Sequence, residues 1–343
     1  MRRPVGAQLS TRAAQEGVAI VTALLLTTLA VTIVASLFWQ QQVQVRSIEN
    51  QRLQLQRDWI MRGALDWARL ILRAGGRQST IDYLGQPWAT PLADTRLDQY
   101  LEDGHTGADG AAGDAVLSGN IMDGQARYNL RNLSAYGANG VSVVNPNELA
   151  IFKRLLSNVG VPVGLAAVVA QAIVAGQPPT PTLPLQPLVP GSTVVAGAAT
   201  QSGDDTLPIM QADDLLSLPG FTLDMVRQLK DFIVVLPLVT PVNANTAPAE
   251  VLAACFATLS LSEANLLIVS RRVAPFLDMQ HLSAQMAQLF GKSFSSTGNV
   301  AFASDFFLVN GRLRLGRAAL NTVSLIQRIN NRNDSMIVWI REQ

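Results

Sequence analysis

Val18-Ala19-Ile20-Val21-Thr22-Ala23-Leu24-Leu25-Leu26-Thr27-Thr28-Leu29-Ala30-Val31-Thr32-Ile33-Val34-Ala35-Ser36-Leu37-Phe38-Trp39 is a run in which every side chain is apolar, Thr or Ser. No charged residue occurs anywhere in residues 17–45. Wound as an α-helix, residues 18–39 span about 33 Å, enough to cross the hydrocarbon core of a bilayer. A cleavable export signal has a shorter apolar stretch, about 7–15 residues, followed by a small-residue cleavage site. Here no Gly or Pro breaks the pattern after Trp39. Residues 40–73 contain no proline and a single internal glycine, Gly63. Ile60, Ala64, Trp67 and Ile71 recur at helical spacing, as do Ile48, Leu55 and Trp59. The expectation is one helix from Val18 to about Arg73, apolar in its first half and amphipathic in its second. Before the run stand Arg2, Arg3 and Arg12 against Glu16, a positive excess that favours a cytoplasmic N-terminus.

A short basic leader, a glycine and an immediate uninterrupted apolar helix resemble the precursors of type IV pilins and pseudopilins. The resemblance implies cleavage by a prepilin peptidase between Gly17 and Val18, with Val18 becoming an N-methylated terminus. Val18 stands where Phe or Met is commoner, and Glu16 is an unusual neighbour for the glycine. Members of that family mostly carry a glutamate at the fifth mature position, which here is Thr22. Within the family its absence is similar to the protein K group of minor pseudopilins of type II secretion. A subunit without that carboxylate cannot pair upward with a neighbour's terminal amine, which suits the end of a filament.

Two further motifs carry the same resemblance. Gly124-Gln125-Ala126-Arg127-Tyr128-Asn129-Leu130-Arg131-Asn132-Leu133 follows Asp123, and Asp-Gly reads as a turn before a strand. Asn243-Ala244-Asn245-Thr246-Ala247-Pro248-Ala249-Glu250-Val251-Leu252 is the most distinctive stretch in the chain and closely resembles a protein K signature. Helix starts are legible around both. Asn145-Pro146-Asn147-Glu148 combines an N-cap, a proline at the first helical position and a glutamate three residues on. Ser260-Leu261-Ser262-Glu263 reads as a capping box, and Thr222 as a cap after the Pro219-Gly220 turn. Near the end, Asn310-Gly311 between Phe306–Val309 and Arg312–Leu315 predicts a hairpin with a type I′ turn. Val323–Ile329 and Met336–Ile340 are two more strand candidates.

The expected fold class is α+β: a pseudopilin fold, with a long N-terminal helix on an antiparallel sheet, carrying a large, mostly helical insert with helix-hairpin-helix-like units. The expected divisions are a leader at 1–17, a transmembrane and assembly helix at 18–74, and the first part of the head at 75–133. The insert follows at 134–280, with a proline-rich loop at 176–210, and closing strands at 281–343.

Composition narrows the function. Hydrophobic residues are 48% and charged residues 15% of the chain, and the net charge is +1, so no general field attracts nucleic acid. Cys255 is the only cysteine and sits in an apolar helical run, where it reads as a small core residue. The histidines are His105 and His281 alone, and no Gly-x-Ser-x-Gly, P-loop or His-Glu-x-x-His occurs. A non-enzymatic protein is expected. Helix-hairpin-helix units elsewhere bind DNA backbones, which makes a membrane-anchored DNA-uptake protein the alternative. Residues 211–280 hold Arg227, Lys230, Arg271 and Arg272 against Asp213, Asp214, Asp224, Asp231, Glu250, Glu263 and Asp278. Four against seven leaves this region at −3, better suited to protein contacts than to phosphate. No cofactor is expected. Calcium has been associated with the family, but Asp204 and Asp205 are the only acidic residues in the proline-rich stretch, and calcium takes about 6–8 oxygen ligands. The partners implied by the resemblance are the I- and J-type minor pseudopilins, then the H type and the major pseudopilin, with the prepilin peptidase and the inner membrane. The implied location is the inner membrane, with a single pass and the head in the periplasm.

Overall fold

The computed structural model describes residues 12–97, 115–137, 141–177, 208–292, 300–315, 318–329 and 333–342. The chain divides into two units, residues 1–61 and 62–343. Helix α1 runs Arg12–Gln78, longer at both ends than the apolar and amphipathic pattern predicts. In the first unit its residues 18–39 are exposed on every side.

In the second unit, β1 (Leu92–Arg96) and β2 (Ala115–Asp123) precede β3 (Tyr128–Asn129), β4 (Ser134–Tyr136) and β5 (Ser142–Val144). Helices α2 (Pro146–Val159), α3 (Leu165–Ala175), α4 (Leu223–Leu229), α5 (Ala249–Cys255), α6 (Leu261–Val273) and α7 (Met279–Phe290) follow. Short strands β6 (Ile233–Val234) and β7 (Val242–Asn243) lie among them. Strands β8 (Val300–Ala301), β9 (Phe306–Leu315), β10 (Ala318–Ile329) and β11 (Asp334–Glu342) come last. The main sheet is antiparallel in the order β1-β2-β9-β10-β11.

Side-chain alternation along β9 decides which neighbour each sheet face takes. Phe307 and Val309, with Ile326, pack on Leu65, Ala68 and Leu72 of α1 and on Trp88. Phe306 and Leu308, with Leu325, pack on Val234 and Leu236 from the opposite side. Trp88 meets Phe307 edge-on, with ring centres 5.2 Å apart. Each such large side chain, fully buried, stabilises the head by roughly 1.5–3 kcal/mol.

The type I′ turn expected at Asn310-Gly311 is not there: β9 passes straight through it. Gly311 pairs with Gly119 of β2. A Cβ on Gly119 would lie 2.4 Å from the Asn310 carbonyl oxygen. The glycine pair therefore serves a close approach of two strands, and local turn chemistry gives way to sheet geometry. The pairing of β9 with β10 instead begins at Leu315 opposite Ala318. The strand expected to follow Asp123-Gly124 is likewise mostly turn: Gly124–Ala126 and Leu130–Leu133 are 3-10 segments flanking the two-residue β3.

The helical core reaches beyond the span 134–280 on both sides. Tyr128, Leu130 and Leu133 belong to it, and so do Leu282 and Met286 of α7. Helix α7 starts close to the expected boundary at 280: Asp278 caps it by accepting the His281 N–H at 2.7 Å, and its Leu282 and Met286 are buried.

Candidate functional site

Two regions carry the residues singled out by the sequence. The first is the apolar part of α1. Gly17 and Val18 both lie within α1, and Val18 is 64% exposed. The Thr22 hydroxyl donates to the Ala19 carbonyl at 3.0 Å. Thr27, Thr28 and Thr32 back-bond in the same way, to Leu24, Leu25 and Leu29. Each hydroxyl proton is thus satisfied inside its own helix, as a segment in hydrocarbon requires. Residues 18–39 are long and apolar enough to cross a membrane and fit a single-pass anchor.

The second region is a buried polar junction built on the two signature motifs. Asp123 ends β2 and is 4% exposed. One of its carboxylate oxygens accepts from Thr246 Oγ1 and Ser304 Oγ, both at 2.6 Å, and from Asn243 Nδ2 at 2.9 Å. The other accepts the Gln125 N–H at 2.8 Å. Burial pushes the Asp123 carboxyl above the usual carboxylate range. The hydrogen bonds from Ser304, Thr246 and Gln125 pull it back down, and the nearby Asp82 pushes it up. Asp82, fully buried, accepts Arg328 Nη1 at 2.9 and 3.1 Å and the Ser304 N–H at 2.8 Å. The Arg328 guanidinium also lies 4.4 Å from the centre of the Phe307 ring. The junction therefore ties together the turn after α1, the end of β2, the helical module and the closing strands.

Four asparagines of the motifs act as surrogate backbone. Asn129 Oδ1 accepts the Leu236 N–H at 3.1 Å while its Nδ2 donates to the Leu238 carbonyl at 2.7 Å. Asn132 pairs both ways with Thr240, and Asn245 both ways with Phe276. Asn243 supplies the link to Asp123. Arg271 of α6 donates to the Ala244 carbonyl at 2.6 Å, and burial pushes its guanidinium down to about 10. Pattern alone marks the asparagines as distinctive. It does not reveal Asp82, Gln125, Ser304 or Arg328, whose roles arise only where distant segments meet.

The caps read from sequence form with one difference. Ser260 and Glu263 make the reciprocal capping box, and Thr222 caps α4. Asn145 accepts the N–H groups of Asn147 and Glu148, but Glu148 does not reciprocate. It turns inward and accepts the Tyr128 hydroxyl at 3.0 Å, and the Asn145 N–H goes to the Leu133 carbonyl instead. Burial pushes the Glu148 carboxyl up. Cys255 is buried beneath it, and burial lifts its thiol to about 12, which leaves no thiolate to act as a nucleophile at neutral pH. His281 packs edge-on near Phe276. His105, Asp204 and Asp205 lie outside the described residues. Among the described residues no group of three or more His, Cys, Asp or Glu is placed to hold a metal.

Comparison with known proteins supports this assignment of the motifs. Two family models, both described as type II secretion system protein K, match residues 126–238 and residues 242–298. These spans hold the four asparagines. Type II secretion system protein K of Pseudomonas aeruginosa is 29% identical over 332 residues, covering 92% of this chain and 90% of that one. A chain of the GspK-GspI-GspJ complex of the type 2 secretion system of enterotoxigenic Escherichia coli superposes with a TM-score of 0.57 and 17% identity. It covers 87% of this chain and 99% of that one, a likeness of fold. Over most of its length the chain is therefore similar to protein K of the type II secretion system, a minor pseudopilin.

Proposed function

We propose that this chain works without catalysis at the tip of the pseudopilus, where it joins I- and J-type minor pseudopilins and starts or caps the filament above the H-type and major subunits. The observation that carries the reading is the α1 segment 18–39. It is uncharged and exposed on every side, and Thr22 stands where the family's glutamate pairs with a neighbour's amine. A glutamate there without that amine would be an unpaired charge in hydrocarbon. Its replacement by a self-satisfied hydroxyl removes both the cost and the upward contact. The naming of a K-I-J complex for the structurally similar Escherichia coli protein supports the choice of partners.

In this reading the prepilin peptidase cuts between Gly17 and Val18, Val18 becomes N-methylated, and the anchor stays in the inner membrane with the head in the periplasm. The two short-helix pairs, residues 212–229 and 249–273, are the helix-hairpin-helix-like part of the bulky module that closes the tip sterically. The decisive experiment is replacement of Gly17 by a large residue, followed by precursor size and secretion. The expected outcome is an unprocessed precursor and loss of secretion. Normal processing and secretion in that variant would overturn the cleavage site. Separately, the full chain is expected to co-purify with the I- and J-type subunits, and capture of neither would refute the tip assignment.

A further inference from the structure

The sheet face opposite α1 meets residues 210–213 and 230–235 along a groove of about 410 Å³. Met122, Leu308, Val323 and Trp339 supply its apolar floor. One wall is held in place by Arg341, which lies 4.2 Å over the Trp339 ring and donates to Gln211 Oε1 at 3.1 Å. Arg127 and Lys230 bring two further cations, faced by the exposed Asp213 and Asp231. Arg127 is half-buried. Burial pushes its guanidinium down, and the field of Asp231 lifts it back. Neither Arg127 nor Lys230 forms a hydrogen bond or close ion pair with the described residues lining the groove. A cation drawn out of water over an apolar floor gains from a carboxylate that reaches it.

We propose that this groove receives an extended acidic segment of a partner protein, its carboxylate on Arg127 with Lys230 at the rim and a neighbouring apolar side chain on Trp339 and Val323. Charge complementarity selects an acidic occupant: three cations face two carboxylates, and both carboxylates are open to solvent. Size selects an extended one. The volume falls in the range of about 300–1,000 Å³ seen for ligand pockets and is small for a helix about 10 Å across. The inference does not depend on the tip assignment.

The test uses the full-length chain in its own membrane, with the photo-crosslinking residue p-benzoylphenylalanine at Met210, which is exposed on the rim. The adduct is mapped by mass spectrometry. The expected adduct is a peptide of another protein with Asp or Glu next to the crosslinked residue. Its yield should fall about tenfold in Arg127→Glu, the size of one lost charge-assisted contact, and return when the mapped acidic residue is changed to Lys. Arg127→Gln serves as a second variant should Arg127→Glu fail to fold, with the same direction expected. An adduct to residues 178–207 of the same chain, an adduct to a second copy, no adduct, or a yield indifferent to Arg127 would each overturn the proposal.

Discussion

Along residues 18–39 no described residue buries the apolar side chains, whereas around Asp123 the described residues bury the polar ones. The two regions pose opposite solvation problems. In the anchor, backbone and hydroxyl groups are satisfied within the helix, and the apolar surface must be covered by something outside the molecule, a bilayer or neighbouring helices. At the junction, carboxylates, a guanidinium and amides have lost water and must satisfy one another. The first kind of region tolerates many sequences of the same character. The second tolerates few, because removal of a donor or an acceptor leaves a buried group unpaired. Specificity of the head's shape therefore resides in the junction, and attachment resides in the anchor.

The largest effect is expected of Arg328→Met. It strands the fully buried Asp82 and is expected to destabilise the head by roughly 3–5 kcal/mol, read as the denaturant midpoint followed by Trp fluorescence. A midpoint unchanged from wild type would show that the junction is not what holds the closing strands. Next comes Leu26→Arg, which tests the anchor at mid-span and should cost about 2.5–3.5 kcal/mol of insertion. Alkaline extraction of membranes should release part of that variant while leaving the wild type in the pellet, and the head's denaturant midpoint should not move.

The smallest effect is expected of Asp123→Asn. The amide can accept from Ser304, Thr246 and Asn243 only by turning its NH₂ toward the Gln125 N–H, so one donor faces another, at a cost of about 1–3 kcal/mol. The pH dependence has a defined sign. The folded Asp123 carboxyl lies above its ordinary 3.8, so its stabilising contribution is complete below that value and is lost as pH rises through the folded one. The gap between wild type and variant should therefore widen as pH falls through that window. Denaturation curves collected from neutral to acid pH check this, and a gap that narrows on acidification would contradict it.

What the sequence made legible follows from distance along the chain. The anchor is a matter of composition within one window. The Asn145 and Ser260 caps act over three residues, and both form. The glutamate after Asn145 was readable as a cap partner, but Tyr128, 20 residues away, claims its carboxylate. At Asn310-Gly311 a true local turn signal is overruled by Gly119 on the neighbouring strand, which no local pattern announces. The junction is less legible still. Asn243 reaches Asp123 across 120 positions and Asp82 reaches Arg328 across 246. The asparagines stood out as a motif, yet their chemistry became readable only once the partners were placed beside them.

Helix α1 begins at Arg12, upstream of Gly17, so the bond between Gly17 and Val18 is wound into a helical turn. A protease threads its substrate in extended form, and a wound bond must first be peeled open. Glycine lowers that threshold, because it weakens a helix by roughly 0.5–1 kcal/mol relative to alanine. Under the proposed cleavage between Gly17 and Val18, maturation would then be paced by local unwinding at the membrane surface as well as by recognition of the flanking side chains.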